Sequence, residues 1–253
     1  MNTVCGRYYI DDTFQKGLLS DFPSFREQTA AMHIPSGDVR PTDAAPVIME
    51  DRLVRMYEKD QKRIEGGNGL SRDYTGISKA SAGLQSDIGN KSSYSETDRQ
   101  NHTNNNDISI TEAHWGFWED FGAGDKLLIN ARTETAATRS AFSYAIRSRR
   151  CVIPVSGFYE YTPDKEKVSF FRKEEKVIYL AGCARWADGW CFVILTTSPN
   201  DDVKKVHDRM PVMLRKEDVR KWVRSRRIPT TLTDGWKPPL ESFRRYEQLS
   251  LFS

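Results

Sequence analysis

The sequence predicts an α+β fold, built on a curved, barrel-like mixed β-sheet core with a few flanking helices. Short β-rich runs recur along the chain, whereas helical periodicity is confined to three segments. Strands that are not joined by regular helical crossovers argue against a doubly wound α/β fold. The predicted strands are Arg7 to Ile10, Ala45 to Met49, Leu53 to Tyr57, Ile108 to Phe117, Leu127 to Ile129, Cys151 to Val155, Phe158 to Tyr161, Val177 to Ala181 and Cys191 to Thr196.

Each of the three helical segments places three apolar residues on one face, and Asp12 is expected to cap the first. The apolar sets are Phe14, Leu18 and Leu19 in the first helix, Phe142, Ala145 and Ile146 in a helix from Ala136 to Ser148, and Val219, Trp222 and Val223 in a helix from Lys216 to Val223.

Composition bounds the class of protein. With 253 residues and 38% hydrophobic content, one domain over 1–253 is expected, as a monomer. The net charge is only +3, from 38 basic and 35 acidic residues, so any nucleic-acid-binding surface must be a local basic patch. The sequence has no apolar run long enough for a membrane span and no signal peptide. Its four cysteines lack CxxC spacing, which predicts a reducing, cytoplasmic location.

Residues 59–107 differ in composition from the rest of the chain. They are rich in Gly, Ser, Asn, Asp and Lys, and Tyr74 and Tyr94 are their only aromatic residues. Such a segment cannot bury enough apolar surface to order itself. Because it lies between two predicted strands, we interpret 59–107 as a flexible polar insertion rather than a linker between domains.

Two segments near strand ends carry candidate functional groups. Cys5 precedes the first strand and lies close in sequence to the Arg7 cation, which favours a thiolate; a structural cysteine is the alternative. A polar stretch, Asn130 to Thr135, follows a short apolar strand, where side chains can be presented to a ligand. It is also compatible with a helix N-terminus, with Thr133 or Thr135 as the cap and Glu134 favoured by the helix dipole.

Two further segments offer acid–base groups. Strand alternation places Glu160 on the same face as Phe158, so its carboxyl group is expected in a partly buried pocket, suited to proton transfer. A salt bridge with Arg149 or Arg150 is the alternative. His207 precedes Asp-Arg-Met-Pro, and histidine exchanges protons near neutral pH; a surface histidine in a loop is the alternative.

Together, Cys5, Asn130, Glu160 and His207 could form an acid–base site with a nucleophile. Neither zinc-ligand spacing nor a Gly-rich phosphate loop is present in the sequence, so no metal and no cofactor is predicted.

Four ordered motifs resemble the SOS-response-associated peptidase (SRAP) family: Cys-Gly-Arg-Tyr, Asn-Ala-Arg-x-Glu-Thr, Pro-x-x-Gly-Phe-Tyr-Glu and His-x-Arg-Met-Pro. The resemblance covers most of the chain outside the insertion, and four ordered motifs are more specific than any one of them. It implies the SRAP fold and a nucleoid-associated protein that shields abasic sites in single-stranded DNA. In that family an exposed N-terminal cysteine captures the sugar aldehyde as a thiazolidine, through its α-amine and its thiol.

Carried over by resemblance, Cys5 is the nucleophile, Asn130 positions the cysteine amine, Glu160 moves protons and His207 works on the sugar side. The resemblance also implies DNA contacts, with arginine forks on phosphates and apolar wedges or stacking surfaces on bases. These DNA-binding candidates are Arg7, Arg132 and Arg209 for phosphates, and the Pro41 loop and Trp115 as wedges, with core packing as the alternative role of Trp115.

Two features depart from the family pattern. Trp115-Gly116 is followed by Phe117-Trp118, where the family has an aliphatic pair and proline. Residues 1–4 precede Cys5, and an internal cysteine has no α-amine. Either Val4 marks a GTG initiation codon, so that the cellular protein begins Met-Cys-Gly-Arg, or a four-residue leader is removed by autocleavage.

The C-terminal peptide 248–252, Gln-Leu-Ser-Leu-Phe, resembles the docking peptides of the bacterial replicative sliding clamp. Leu251 and Phe252 are expected to anchor in an apolar groove, while Gln248 makes polar contacts and Leu249 lies between. Packing of this tail on its own domain is the alternative.

Two other functions remain open at this point. A thiol peptidase could use Cys5 as nucleophile with Glu160 and His207 as the acid–base pair, acting on its own leader or on other proteins. A non-catalytic single-strand-binding module would use the same basic residues. DNA lyase activity is a further possible output of the crosslinking chemistry.

Overall fold

The computed structural model describes residues 6–57, 107–120, 122, 124–225 and 236–244. Its strands are β1 (Arg7–Ile10), β2 (Gly37–Val39), β3 (Ala44–Glu50), β4 (Ile108–Trp115), β5 (Phe117–Asp120), β6 (Asp125–Leu128), β7 (Asn130–Arg132), β8 (Arg150–Val155), β9 (Gly157–Tyr161), β10 (Lys167–Phe171), β11 (Ile178–Trp186), β12 (Trp190–Thr197), β13 (Met210–Pro211), β14 (Met213–Leu214) and β15 (Glu241–Arg244).

Helices flank these strands. They are α1 (Phe14–Asp21), α2 (Arg26–Ala30), α3 (described over 51–57), α4 (Thr133–Ala136), α5 (Ser140–Ser148), α6 (Asp201–Lys204) and α7 (Val219–Arg224), with single 3-10 turns at Pro23–Phe25 and Lys216–Asp218. Within the described ranges, no helix is both long enough and apolar enough to cross a membrane.

Five strands close into a ring in the order β12-β4-β3-β8-β11 and back to β12. Four of the five pairings are antiparallel, whereas β4 and β12 run parallel. An odd-membered ring requires at least one parallel pair, because strand direction cannot alternate all the way around. The barrel-like mixed sheet and the α+β class predicted from the sequence are therefore confirmed.

A second sheet lies beside the barrel, in the order β15-β10-β9-β1-β2, and all its pairings are antiparallel. The chain passes from β8 in the barrel to β9 in this sheet through Ser156, whose N–H donates to the Tyr9 carbonyl at 2.9 Å. One continuous hydrophobic core packs against both sheets. The second sheet therefore has an inner face towards the core and an outer face away from it.

Several elements confirm the sequence patterns. The predicted strand from Arg7 to Ile10 coincides with β1, and the apolar sets of the second and third helices are buried in α5 and α7. In the first set Phe14 and Leu18 are buried, and Leu19 packs against the core from a partly exposed position.

The structure corrects four local predictions. Residues 53–57 lie in helix α3 rather than a strand, and the Asp51–Arg55 ion pair at 2.7 Å has the i,i+4 spacing of a helix. The helix expected from Ala136 is two helices, because Arg139 is extended between α4 and α5.

Two capping residues also differ. Asp11, rather than Asp12, accepts the Thr13 N–H ahead of α1, at 2.9 Å. Arg132 precedes α4 without a side-chain cap, so neither Thr133 nor Thr135 caps that helix.

The insertion predicted over 59–107 lies outside the described residues except for Asp107. Helix α3 and this segment together connect β3 to β4, which pair up to Glu50 opposite Ile108. The Asp51 N–H also donates to the Asp107 carbonyl at 3.2 Å. The segment thus leaves and rejoins the barrel at one end of a single strand pair.

Candidate active site

Two of the four motifs meet at the C-terminal end of β12. Strand β7 pairs with β12 on one side, with Asn130 opposite Ile194 and Arg132 opposite Thr196. Strand β13 pairs with the same end of β12 on the other side, where Met210 lies opposite Thr197. The Asn-Ala-Arg and Arg-Met-Pro segments therefore flank one strand end.

A bidentate ion pair connects these two motifs. Arg209 Nη1 and Nη2 donate to the two carboxylate oxygens of Glu134 at 2.6 and 2.9 Å, and Nη2 also donates to the Thr196 carbonyl at 2.6 Å. The hydrogen bond from Arg209 is the main reason why the pKa of Glu134 lies below its ordinary value. Arg209, expected from the resemblance to hold a phosphate, thus has its fork engaged by Glu134 in this structure, whereas the Arg132 side chain is exposed.

His207 lies just after α6, next to this ion pair. Its Nδ1 accepts the Arg209 backbone N–H at 3.1 Å and lies 3.1 Å from an Asp208 carboxylate oxygen, and the imidazole is largely buried. A neutral ring that accepts at Nδ1 carries its proton on Nε2. The ring is thus held in place by the backbone of the residue that pairs with Glu134.

Asn200 fixes the loop that carries His207. Its side-chain oxygen accepts the Val203 N–H at 2.9 Å as the cap of α6, and its amide donates to the Pro238 carbonyl at 2.7 Å. Asn200 is not among the site residues predicted from the sequence, although Asn followed by two Asp residues is a helix-start signal.

Glu160 lies on β9 and is buried, as Phe158 is, while Tyr159 and Tyr161 point to the other face of the sheet. The alternative interpretation paired this carboxylate with Arg149 or Arg150. Arg149 donates to the Tyr57 hydroxyl, and Arg150 donates to main-chain carbonyls of α5 and α7. The hydrogen bonds of Arg149 and Arg150 are therefore made to groups other than the Glu160 carboxylate.

Strand β1 brings the N-terminal motif alongside Glu160. Arg7 pairs with Tyr159, the residue immediately before Glu160, and Tyr8 pairs with Phe158. The Arg7 guanidinium is partly exposed and lies 3.9 Å from Asp38. Cys5 itself is outside the described residues, two positions before Arg7.

Trp115 connects the two parts of the site from within the core. Its ring centroid lies 5.0 Å from that of Tyr8, and its indole N–H donates to the Ile129 carbonyl, next to Asn130, at 2.9 Å. The side chain is fully buried and also stacks with Phe192. Its burial favours the packing role and leaves no surface on which a base could stack.

The Pro41 loop is tied to the same tryptophan. The Thr42 N–H donates to the Trp115 carbonyl at 2.8 Å, and Thr42 has the positive φ of 79° typical of a tight turn. Pro41 is partly exposed at this turn, so the loop can offer a surface that Trp115 cannot.

The described cysteines are poorly suited to nucleophilic chemistry. Burial raises the pKa of Cys183 to about 12 and raises the pKa of Cys151 and Cys191 above the ordinary thiol value. All three thiols are therefore protonated at neutral pH. The clamp-docking candidates Gln248, Leu249, Leu251 and Phe252 lie, like Cys5, outside the described residues.

Comparison with solved structures supports the fold. A Bacteroides thetaiotaomicron protein has a TM-score of 0.57 at 16% identity, covering 96% of this chain and 93% of its own. A Bordetella bronchiseptica protein has a TM-score of 0.57 at 18% identity, covering 96% of this chain and 100% of its own.

Curated relatives include the abasic site processing protein YoaM of Bacillus subtilis, 30% identical over 127 residues, which are 45% of this chain and 56% of YoaM. The abasic site processing protein YedK of Escherichia coli is 30% identical over 126 residues, 46% of this chain and 56% of YedK. The match spans about half the length of these relatives. The family model of the SOS response associated peptidases (SRAP) matches residues 4–247, and the chain therefore belongs to this family.

Proposed function

We propose that the protein shields abasic sites in single-stranded DNA by a covalent thiazolidine link through Cys5, presented as an N-terminal residue. The observation that carries this proposal is the pairing of Arg7 with Tyr159, which brings the strand that follows Cys5 alongside the buried Glu160. The names of the curated relatives, which are abasic site processing proteins, support abasic sites as the substrate class.

An N-terminal cysteine supplies two reactive groups. An α-amine has a pKa of about 7.7–8.0 and is partly neutral at pH 7, whereas a lysine amine near 10.4 is almost wholly protonated. The amine adds to the sugar aldehyde, and loss of water gives an imine. The neighbouring thiol then adds to the imine carbon, its proton passes to the nitrogen, and a five-membered ring closes at high effective concentration.

The candidate acid–base residues have distinct roles in this sequence. Glu160 protonates the departing hydroxyl during imine formation and relays the thiol proton to the imine nitrogen during ring closure, and Asn130 orients the amine. His207, whose Nδ1 is engaged by the Arg209 N–H, offers Nε2 to the sugar side. Arg132 and Arg7 hold phosphates, because both guanidinium groups are at least partly exposed.

A denaturing gel tests the proposal with protein that begins at Cys5, the full chain from Met1, and single-stranded DNA carrying one abasic site. A heat-stable shifted band is expected with the Cys5 form, no band with Cys5→Ala, and a rate about 10²–10⁴-fold lower with Glu160→Gln. Arg147→Ala, at an exposed residue of α5, is the matched control. If neither form shifts and a model peptide is cleaved instead, the thiol-peptidase function replaces this one.

The same gel reports two finer activities. Shortened DNA would reveal lyase activity, and loss of residues 1–4 from the full chain, read by mass spectrometry, would reveal processing of the N-terminus. Retention of residues 1–4 in the protein expressed from its chromosomal gene would contradict both the GTG start and leader removal.

We also propose that residues 248–252 dock on the replicative sliding clamp. Leu251 and Phe252 supply the apolar anchors that such a groove requires. Deleting 248–253 should abolish capture of the purified clamp, with Leu251→Ala plus Phe252→Ala giving the same loss. Unchanged capture by both variants would rule out this docking mode.

A further inference from the structure

The outer face of the second sheet is aromatic. Strand register places five aromatic side chains on this face, none of them fully buried. Two of them are in contact, with the ring centroids of Tyr9 and Tyr159 5.1 Å apart. The five are Tyr9, Tyr159, Tyr161, Phe171 and Phe243.

Two of these rings are prominently exposed. Phe243 on the edge strand β15 is 61% exposed and Tyr161 at the end of β9 is 36% exposed. Phe243 lies opposite Ser169, which lies opposite Tyr159, which lies opposite Arg7. One row of the sheet thus runs from an exposed ring to the cation that follows Cys5.

Cations are interleaved with the rings. Lys167 Nζ lies 3.6 Å above the Tyr159 ring centroid and 2.8 Å from Asp38, which also attracts Arg7. Arg7 and Lys167 thus share the Asp38 carboxylate, and Glu241, opposite Phe171, is the other carboxylate that the register places on this face. Burial, and then Asp11, raise the pKa of Tyr9 to about 12, and burial raises that of Tyr159, so both phenols stay neutral.

We infer that this outer face is a stacking platform for the bases of the single strand that flanks the reacting nucleotide. Single-stranded nucleic acid is bound by aromatic side chains that stack on bases and by cations that track the phosphates. The platform shares strands β1 and β9 with the candidate active site: Arg7 and Tyr159 lie on the outer face of these strands, whereas Tyr8 and Glu160 lie on the inner face. The inference rests on the proposed function for its ligand, single-stranded DNA.

Binding without chemistry tests the platform, so that a failure of crosslinking and a failure of stacking are distinguishable. Fluorescence anisotropy measures the affinity of the full chain for an undamaged single strand of about 20 nucleotides at low salt. Phe243→Ala combined with Tyr161→Ala should weaken binding at least tenfold, since each base–aromatic stack is worth about fivefold to a hundredfold.

The matched control removes two exposed rings elsewhere. Trp118 on β5 is 43% exposed and Tyr144 on α5 is 55% exposed, and neither lies on the second sheet. Trp118→Ala combined with Tyr144→Ala should leave the affinity for the single strand unchanged. Phe243→Trp should preserve affinity while Phe243→Leu lowers it, which separates ring stacking from loss of apolar area.

Three results would overturn the inference. One is equal affinity of the wild type and the Phe243/Tyr161 double variant, and another is equal weakening by the control pair. The third is a wild-type dimer in sedimentation that the Phe243/Tyr161 variant converts to monomer with unchanged DNA affinity, which would make the face an interface between copies.

Discussion

At the scale of single residues, the motif glycine Gly157 has a steric explanation. The Tyr9 ring lies directly over it, and an added Cβ would contact the Tyr9 hydroxyl and lie 2.6 Å from the Phe170 carbonyl oxygen. Only a residue without Cβ lets β1 and β10 approach β9 this closely. The glycine thus serves the same strand that carries Glu160.

Gly157→Ala is expected to lower the free energy of unfolding by about 1–3 kcal/mol, the usual cost of overpacking a tight site. Urea denaturation measures the loss, with Ser242→Ala, at an exposed position of the same sheet, as control. An unchanged midpoint would show that Tyr9 can move aside at no cost.

The ion pair between Glu134 and Arg209 contributes a stabilisation that depends on pH. Its pKa is depressed, so the stabilisation by the pair with Arg209 is present above the ordinary value of 4.5 and is lost as pH falls through the lower folded value. Glu134→Gln should therefore lower Tm at pH 7, and by progressively less as pH falls below 4.5, as measured by circular dichroism. Because the carboxylate is about half exposed, the difference should be small, and a difference that persists unchanged at pH 3 would contradict the assignment.

At the scale of elements, α5 and α7 are fastened by one buried cation. Arg150 donates from Nε to the Trp222 carbonyl at 2.7 Å and from Nη1 to the Ile146 carbonyl at 2.8 Å. The Trp222 indole N–H returns a bond to the Cys151 carbonyl at 2.9 Å. Both helices are thereby fixed to the start of β8.

Arg150→Ala leaves two carbonyls without their donor and opens a cavity, so a loss of about 3–5 kcal/mol in the free energy of unfolding is expected. Arg147→Ala removes a single exposed bond to the Ala137 carbonyl and should cost less than about 1 kcal/mol. Chemical denaturation of both variants makes the comparison, and equal losses would contradict the fastening role.

Elements with strong periodicity could be predicted from the sequence, and elements defined by tertiary contacts could not. Strand β1 and the buried faces of α5 and α7 follow from alternation and helical spacing. The run 53–57 is too short for periodicity to separate strand from helix, and its packing on the barrel decides for a helix. The edge strand β15 has no alternation in burial, since all four of its residues are exposed.

The same distinction holds for the candidate site. Motif order could nominate Asn130, Glu160 and His207, but the ion pair between Glu134 and Arg209 joins positions 75 apart in the chain and needs the fold to be seen. Trp115 could be anticipated as a core residue but not as the contact between Tyr8 and the strand of Asn130.

At the scale of the whole molecule, the barrel is expected to form without residues 58–106. Glu50 and Ile108 are paired, and helix α3, which follows Glu50, is only about 10 Å long. An eight-residue Gly-Ser linker spans about 16 Å and can therefore connect the end of α3 to residue 107. Replacing 58–106 by that linker should raise the free energy of unfolding by about 1–2 kcal/mol, because loop-closure entropy falls with loop length. Thermal and urea unfolding test this, and a loss above about 2 kcal/mol would show that the insertion supports the core.

The register of β1 also sets an order of events during synthesis. Its partner β9 emerges from the ribosome about 150 residues later, which takes roughly 10–30 s at ordinary elongation rates. Until then β1 has only the three-residue strand β2 to pair with, and an isolated two-stranded hairpin is marginal in water. The pairing of β1 with β9, which brings Arg7 alongside Tyr159, can therefore form only after nearly two thirds of the chain has been synthesised.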